Sequence, residues 1–186
     1  MSRQQSSNHL IWLDMEMSGL DPAICYPLEV ATIVTDSDLN ILAEGPNIVI
    51  HQPDEVLDAM DEWNTEHHGS SGLTAAVKAS QVSCAQAEQM TLDFLLEWTR
   101  PGKSPICGNS IGQDRRFIRK YMTRLDAHLH YRVIDISSIK ELVGRWYGLQ
   151  PPPKKEAHRA LGDIRESIEE LRFYRRAVFR DPPDEP

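Results

Sequence analysis

His9-Leu10-Ile11-Trp12-Leu13-Asp14-Met15-Glu16-Met17 is an apolar run that ends in two acids one residue apart. The run reads as a β-strand from about Leu10 to Asp14, and residues two apart in a strand share a face. Asp14 and Glu16 therefore project together from its end. Two adjacent carboxylates repel unless something positive lies between them. In an otherwise apolar strand the simplest such group is a divalent cation. Oxygen-only donors suit a hard ion such as Mg²⁺ or Mn²⁺ better than zinc. Solvated acids at a surface strand end would show the same letters, so the rest of the chain has to decide.

Outward from this strand, Leu28 to Thr35 reads as a second strand, followed by turn-forming Asp36-Ser37-Asp38-Leu39-Asn40. In that turn Asp36 and Asp38 are expected to cap backbone amides. A third strand ends at Ile48-Val49-Ile50, and a helical and loop region spans Trp63 to Leu73. Ala87, Met90, Phe94, Leu95 and Trp98 have the spacing of an amphipathic helix over Ala85 to Trp98. Ser104 to Asn109 is a short buried fourth strand, with a helix running on through Leu125. Tyr131 to Ile136 is a fifth strand, and Ser138-Ile139-Lys140-Glu141 has capping-box spacing for the next helix. Pro151-Pro152-Pro153-Lys154-Lys155 is a loop, because proline lacks the helix donor. A last helix runs from about Arg159 to Phe179. Hairpins first and strand–helix units later predict an α/β fold with one mixed five-stranded sheet flanked by α-helices. A single domain over 9–180 is expected, with a loose arm at 1–8 and a disordered tail at 181–186.

The length of 186 residues fits one domain, and 40% apolar with 26% charged residues is ordinary for a globular protein. No apolar stretch reaches the roughly 18 residues that span a bilayer, so no membrane partner is expected. Cys25, Cys84 and Cys107 lack Cys-x-x-Cys spacing. They point to a reducing compartment, hence the cytoplasm, and to small buried side chains rather than a disulfide framework. The net charge of −8 leaves little for a basic stripe along a long nucleic acid. A nucleic-acid substrate would have to be short, with metal ions carrying much of the phosphate attraction.

Two further acids sit at element ends. Counted from Asp114, the residues Phe117, Ile118, Tyr121, Met122 and Leu125 lie at i+3, i+4, i+7, i+8 and i+11. Asp114 thus faces the core from the first helical turn, where the helix dipole favours a carboxylate. Helix capping alone would also explain it. Arg115, Arg116, Arg119 and Lys120 mark the other side as exposed. In the last helix Ala157, Ala160, Leu161, Ile164, Ile168 and Leu171 form the apolar stripe, and Asp163 adjoins it. His158 lies five residues before Asp163, about 500° of rotation on an ideal helix. The two can share a site only if His158 precedes the helix. His67, His128 and His130 read as surface residues.

The order Asp14-x-Glu16, Asp114, His158-x-x-x-x-Asp163 resembles the DEDDh family of 3′-to-5′ exonucleases, in the ribonuclease H-like superfamily. Within it the chain looks most like the oligoribonucleases. Ile11 to Asp21, Met60-Asp61-Glu62-Trp63-Asn64, Lys103 to Phe117 and Asp163-Ile164-Arg165-Glu166-Ser167 carry that likeness, which covers about 9–178. The stretch Trp146 to Glu156 matches least, and Gly162 stands where many members carry an acid.

The resemblance implies a ribonuclease H-like fold and a two-metal mechanism. Asp14 would bridge both ions, Glu16 and Asp163 would hold the ion that binds the attacking water, and Asp114 would hold the other. His158 would be the general base, and the product a 5′-mononucleotide. Leu20 would wedge between two bases and Trp63 would stack on one. His68, Ser110 and Ser137 would contact the phosphate end of a dinucleotide or short RNA. Tyr131 and Arg132 would reach in from the partner of a homodimer. A trimming or proofreading exonuclease on longer strands, or a dead nuclease fold serving as a binding module, are the competing readings. The substrate-length profile separates the first, and the presence of all five motif residues weighs against the second.

Overall fold

The computed structural model describes residues 5–151 and 159–180. Its elements are β1 (Leu10–Met17), β2 (Pro27–Thr35), β3 (Ile41–Glu44), β4 (Ile48–Val49), α1 (Asp54–Asp58), α2 (Glu62–Ser70), α3 (Leu73–Ala79) and α4 (Cys84–Trp98). These are followed by β5 (Ile106–Gly108), α5 (Gly112–Tyr121), α6 (Thr123–His128), β6 (Val133–Asp135), α7 (Ile136–Tyr147) and α8 (Ala160–Val178).

One mixed sheet runs in the order β3-β2-β1-β5-β6, with β4 also paired to β2. The strands β1 and β2 are antiparallel, while β1 with β5 and β5 with β6 are parallel. The sheet has six strands rather than the expected five. The third expected strand is divided at Gly45-Pro46-Asn47. Pro46 has no N–H to give a ladder, and at Gly45 a Cβ would stand 2.4 Å from Thr32 Oγ1.

The two faces of β1 bury different layers. Ile11, Leu13 and Met15 pack with Ala87 and Leu95 of α4 and with Phe117 and Ile118 of α5. Trp12 points the other way, into a core with Val143 of α7 and with Ile164, Ile168 and Tyr174 of α8. Strand alternation puts Asp14 and Glu16 on the Trp12 face, beneath α8.

Several boundaries differ from the sequence reading, each for a local reason. The expected long helix after β5 is broken at Met122, whose φ of −135° and ψ of 62° leave the helical region. Its apolar stripe nevertheless continues, because α5 and α6 cover the same core. Arg115 belongs to the buried set, where Nε meets Asp126 Oδ1 at 2.6 Å and Nη1 donates to the His130 carbonyl. His128 is likewise buried, its Nε2 at 2.8 Å from Thr99 Oγ1. Ser138 does not cap α7; Asp135 does, accepting from the Ser137 N–H. The Asp36 turn is as expected, with the carboxylate accepting from the Asp38 and Asn40 amides. At the N-terminal end, Ser6 already donates to the Trp98 carbonyl. The expected loop at Pro152 to Lys155 and the tail at 181–186 lie outside the described residues.

Candidate active site

The acidic pair sits inside β1, not at its frayed end, because the strand continues to Met17. One carboxylate oxygen each from Asp14, Glu16 and Asp163 lies within 4.8 Å of the others. Asp163 reaches them from the first turn of α8, its N–H donating to the Arg159 carbonyl at 3.1 Å. The period-2 strand and the helix crossing it thus converge three carboxylates on one point.

Asp114 is placed by the first turn of α5. β5 pairs only with Ile11 and Trp12 of β1. Farther along, Asp114 Oδ1 takes the Met15 N–H at 3.0 Å. The carboxylate is 5% exposed, and burial pushes it up to about 7 against the pull of its backbone hydrogen bonds. Glu16 is pushed up to about 8. Burial is the main cause, followed by the carboxylates of Asp163, Glu29 and Asp114, while Arg159 opposes it. Carboxylates gathered this closely around Glu16, offering only oxygen donors, fit hard divalent cations. The residues present therefore suit the metal that the motif implies.

The remaining expected residues fall into groups. His68, on α2, is 1% exposed. Its Nε2 is 2.9 Å from the Met17 carbonyl, and its Nδ1, with no hydrogen-bond partner among the described residues, faces Glu16 Oε2 at 3.9 Å. Burial lowers its pKa, so the imidazole is neutral and lies against the acidic cluster. Leu20 and Trp63 are 74% and 64% exposed, which removes core packing as their explanation. The Leu20 carbonyl accepts from Gln113 Nε2, and a Cβ at Gly19 would meet Cys25 Sγ at 2.6 Å. The loop that presents Leu20 is therefore tied to α5 and folded tightly on itself. Trp63 stacks on His67 at 4.3 Å.

Ser110 and Ser137 form a second small group, their hydroxyls 3.1 Å apart. Ser110 sits at a φ of 51°, and its N–H donates to Asp135 Oδ1 and Ser137 Oγ. Asn109 accepts from Ser137 Oγ and donates to Ser167 Oγ, which in turn donates to the Asp163 carbonyl. Tyr131 is 70% exposed, with the Arg132 guanidinium 5.3 Å from its ring centre. His158 lies outside the described residues.

The residues that sequence reasoning passed over are Glu29 and Arg159. Glu29 is fully buried in β2 and is bound by Arg159 through Nε and Nη2, the shortest contact being 2.6 Å. A signal for it existed: a charged residue inside an apolar strand requires a buried partner.

Comparisons with known proteins agree with this geometry. The exonuclease family model (RNase_T) matches residues 11–171. The oligoribonuclease of Vibrio cholerae is 60% identical over 180 residues, covering 94% of this chain and 98% of that protein. That of Ralstonia nicotianae is 56% identical over 187 residues, covering 98% and 84%. Among solved structures, Escherichia coli exonuclease I bound to single-stranded DNA superposes with a TM-score of 0.73 at 20% identity, over 95% of this chain and 42% of that one. The same enzyme with a dT13 oligonucleotide gives 0.71 at 18% identity, over 90% and 41%. At that identity the likeness is one of fold, and this chain spans about two fifths of exonuclease I. High identity along nearly the whole of both chains, with the exonuclease match enclosing every motif carboxylate, makes this chain a member of the oligoribonuclease family of exonucleases.

Proposed function

We propose that the protein is a metal-dependent 3′-to-5′ exoribonuclease that hydrolyses dinucleotides and other short RNAs to 5′-mononucleotides, the final step of RNA degradation. The observation that carries this is the convergence of Asp14, Glu16 and Asp163, beside Asp114, on one face of β1. These four residues would hold two Mg²⁺ or Mn²⁺ ions. When bound, such ions supply charge stabilisation to the attacking and leaving oxygens of an in-line phosphoryl displacement. Asp114 is tied to β1 through the Met15 N–H at one carboxylate oxygen, and the other would be its metal-ligating atom. His158, next to Arg159 in sequence, is our assignment for the base that takes the proton of the attacking water.

The side chains around the cluster support a short substrate. Exposed Leu20 and Trp63 are apolar surfaces on which bases can lie, and the Ser110 and Ser137 hydroxyls can meet a terminal phosphate. A homodimer is also part of the reading. Tyr131, Val133, Leu142, Trp146 and Tyr147, on or next to β6 and α7, are all at least 40% exposed, and large apolar side chains left in solvent favour a partner surface. The likeness to the oligoribonucleases implies that the Tyr131 and Arg132 of a second copy would reach this site. None of the described helices is long and apolar enough to cross a membrane. Cys25, Cys84 and Cys107 are free thiols, in keeping with a reducing, cytoplasmic setting.

The test is Asp114→Asn. It retains an acceptor for the Met15 N–H, so folding should be unchanged by circular dichroism, but removes one anionic ligand. A loss of RNA cleavage beyond the roughly 10–100-fold typical of mutating an outer-shell partner is expected, because Asp114 would be a ligand itself. Cleavage at the wild-type rate would overturn the assignment of Asp114.

A further inference from the structure

Glu29 has no exposed surface, lies directly opposite Glu16 in the β1–β2 register, and belongs to a strand buried along its whole length. Cross-strand neighbours share a face, and like charges at that position are destabilising. The carboxylate is nevertheless fully bonded. Oε1 accepts from Arg159 Nη2 at 2.6 Å and Nε at 3.1 Å, and from Asn47 Nδ2 at 3.1 Å. Oε2 accepts from Arg159 Nε at 3.1 Å and from the Ala160 N–H at 3.2 Å.

The last of these bonds is the informative one. Helices begin with unsatisfied N–H groups, and Arg159, at the N-cap of α8, makes no side-chain cap. Glu29 supplies the missing acceptor from across the sheet, with its charge at the favourable end of the helix dipole. One residue of β2 therefore fixes both the backbone at the start of α8 and the side chain just before it. Asp163 lies in the first turn, bonded to the Arg159 carbonyl. A shift or rotation of α8 would carry it away from Asp14 and Glu16. Buried ion pairs are weak sources of stability, whereas fixing a geometry is a use attested for them in some proteins.

We propose that Glu29 and Arg159 are a positioning pair, which seats the first turn of α8 so that Asp163 completes a cation site with Asp14 and Glu16. The inference rests on reading the acidic cluster as that site. Neither residue is a ligand, and both act through the helix.

The experiment is calorimetric titration of the metal-stripped, full-length protein with Mn²⁺ alone, well below its unfolding temperature. The proteins are the wild type, Glu29→Gln, Arg159→Met and Arg159→Lys. Supporting shells of metal sites are worth about 10–100-fold in affinity. A loss in that range is expected for Glu29→Gln and Arg159→Met, with Arg159→Lys between them and the wild type. At saturating Mn²⁺ the turnover of Arg159→Lys should recover, which marks a loss of affinity rather than of chemistry, and circular dichroism at the titration temperature checks that each variant is folded. If one variant does not fold, the other decides. Wild-type Mn²⁺ affinity in the folded variants would overturn the pairing while leaving the site intact. A wild type that binds no Mn²⁺ would overturn the cation site itself, and this inference with it.

Discussion

Replacing Glu16 with Gln should make the metal-free protein more stable at pH 8 while destroying its activity. The Glu16 carboxyl is held at about 8 in the fold, against 4.5 when free, by burial and three neighbouring carboxylates. An acid raised on folding costs nothing below its free value. It then destabilises the fold increasingly as pH rises from about 4.5 through 8, because the native state retains a proton that the unfolded chain has lost. Over that window the difference has a ceiling of about 4 kcal/mol. Gln keeps the shape without the charge. Scanning calorimetry in EDTA should show Glu16→Gln melting above wild type at pH 8 by at least about 1 kcal/mol, roughly 2–4 °C in a protein of this size. At pH 5 the two should nearly coincide. Added Mn²⁺ should raise the wild-type melting temperature more than the variant's, since it neutralises the charge that Gln lacks. Equal melting of the two proteins at pH 8 in EDTA would refute the reasoning.

Two other outcomes follow from exposure rather than charge. Trp63→Ala and Leu20→Ala should leave thermal stability within about 0.5 kcal/mol, as exposed substitutions do. For a dinucleotide they should lower kcat/KM by about 5- to 150-fold, the equivalent of 1–3 kcal/mol of base stacking; steady-state assays with an unchanged KM and kcat would contradict their role. Trp146→Glu, one turn from Leu142 on α7, should convert a dimer to monomers in analytical ultracentrifugation without altering the far-ultraviolet spectrum. If Tyr131 and Arg132 act on the partner's site, that monomer should also lose most of its activity.

The features legible in the sequence were those set by short-range periodicity. Two carboxylates two apart in a strand have to share a face, and an acid spaced three, four and seven residues from a helix's apolar positions lies on the same side as they do. Asp14, Glu16 and Asp114 follow from that. What was not legible depends on contacts between distant segments. The division of β3 from β4 comes from Pro46 and from the crowding of Gly45 against Thr32. Arg115 looks like a surface residue until Asp126 and the His130 carbonyl come within reach of its guanidinium. His128 is buried because Thr99, 29 positions away, bonds it. The enclosure of the His68 ring beside Glu16, a neighbour 52 residues earlier in the chain, is likewise a contact between distant segments. Glu29 was visible as an anomaly in its strand, but its meaning needed Arg159 and the start of α8.

The most direct measurement is the cleavage of end-labelled RNAs from two to about ten nucleotides long, with Mg²⁺ or Mn²⁺ and with EDTA as control. The account predicts that the dinucleotide disappears fastest, that longer chains are attacked more slowly, and that EDTA stops both. Rates that rise with length would contradict a site closed around a short substrate, and cleavage that persists in EDTA would contradict the cation site.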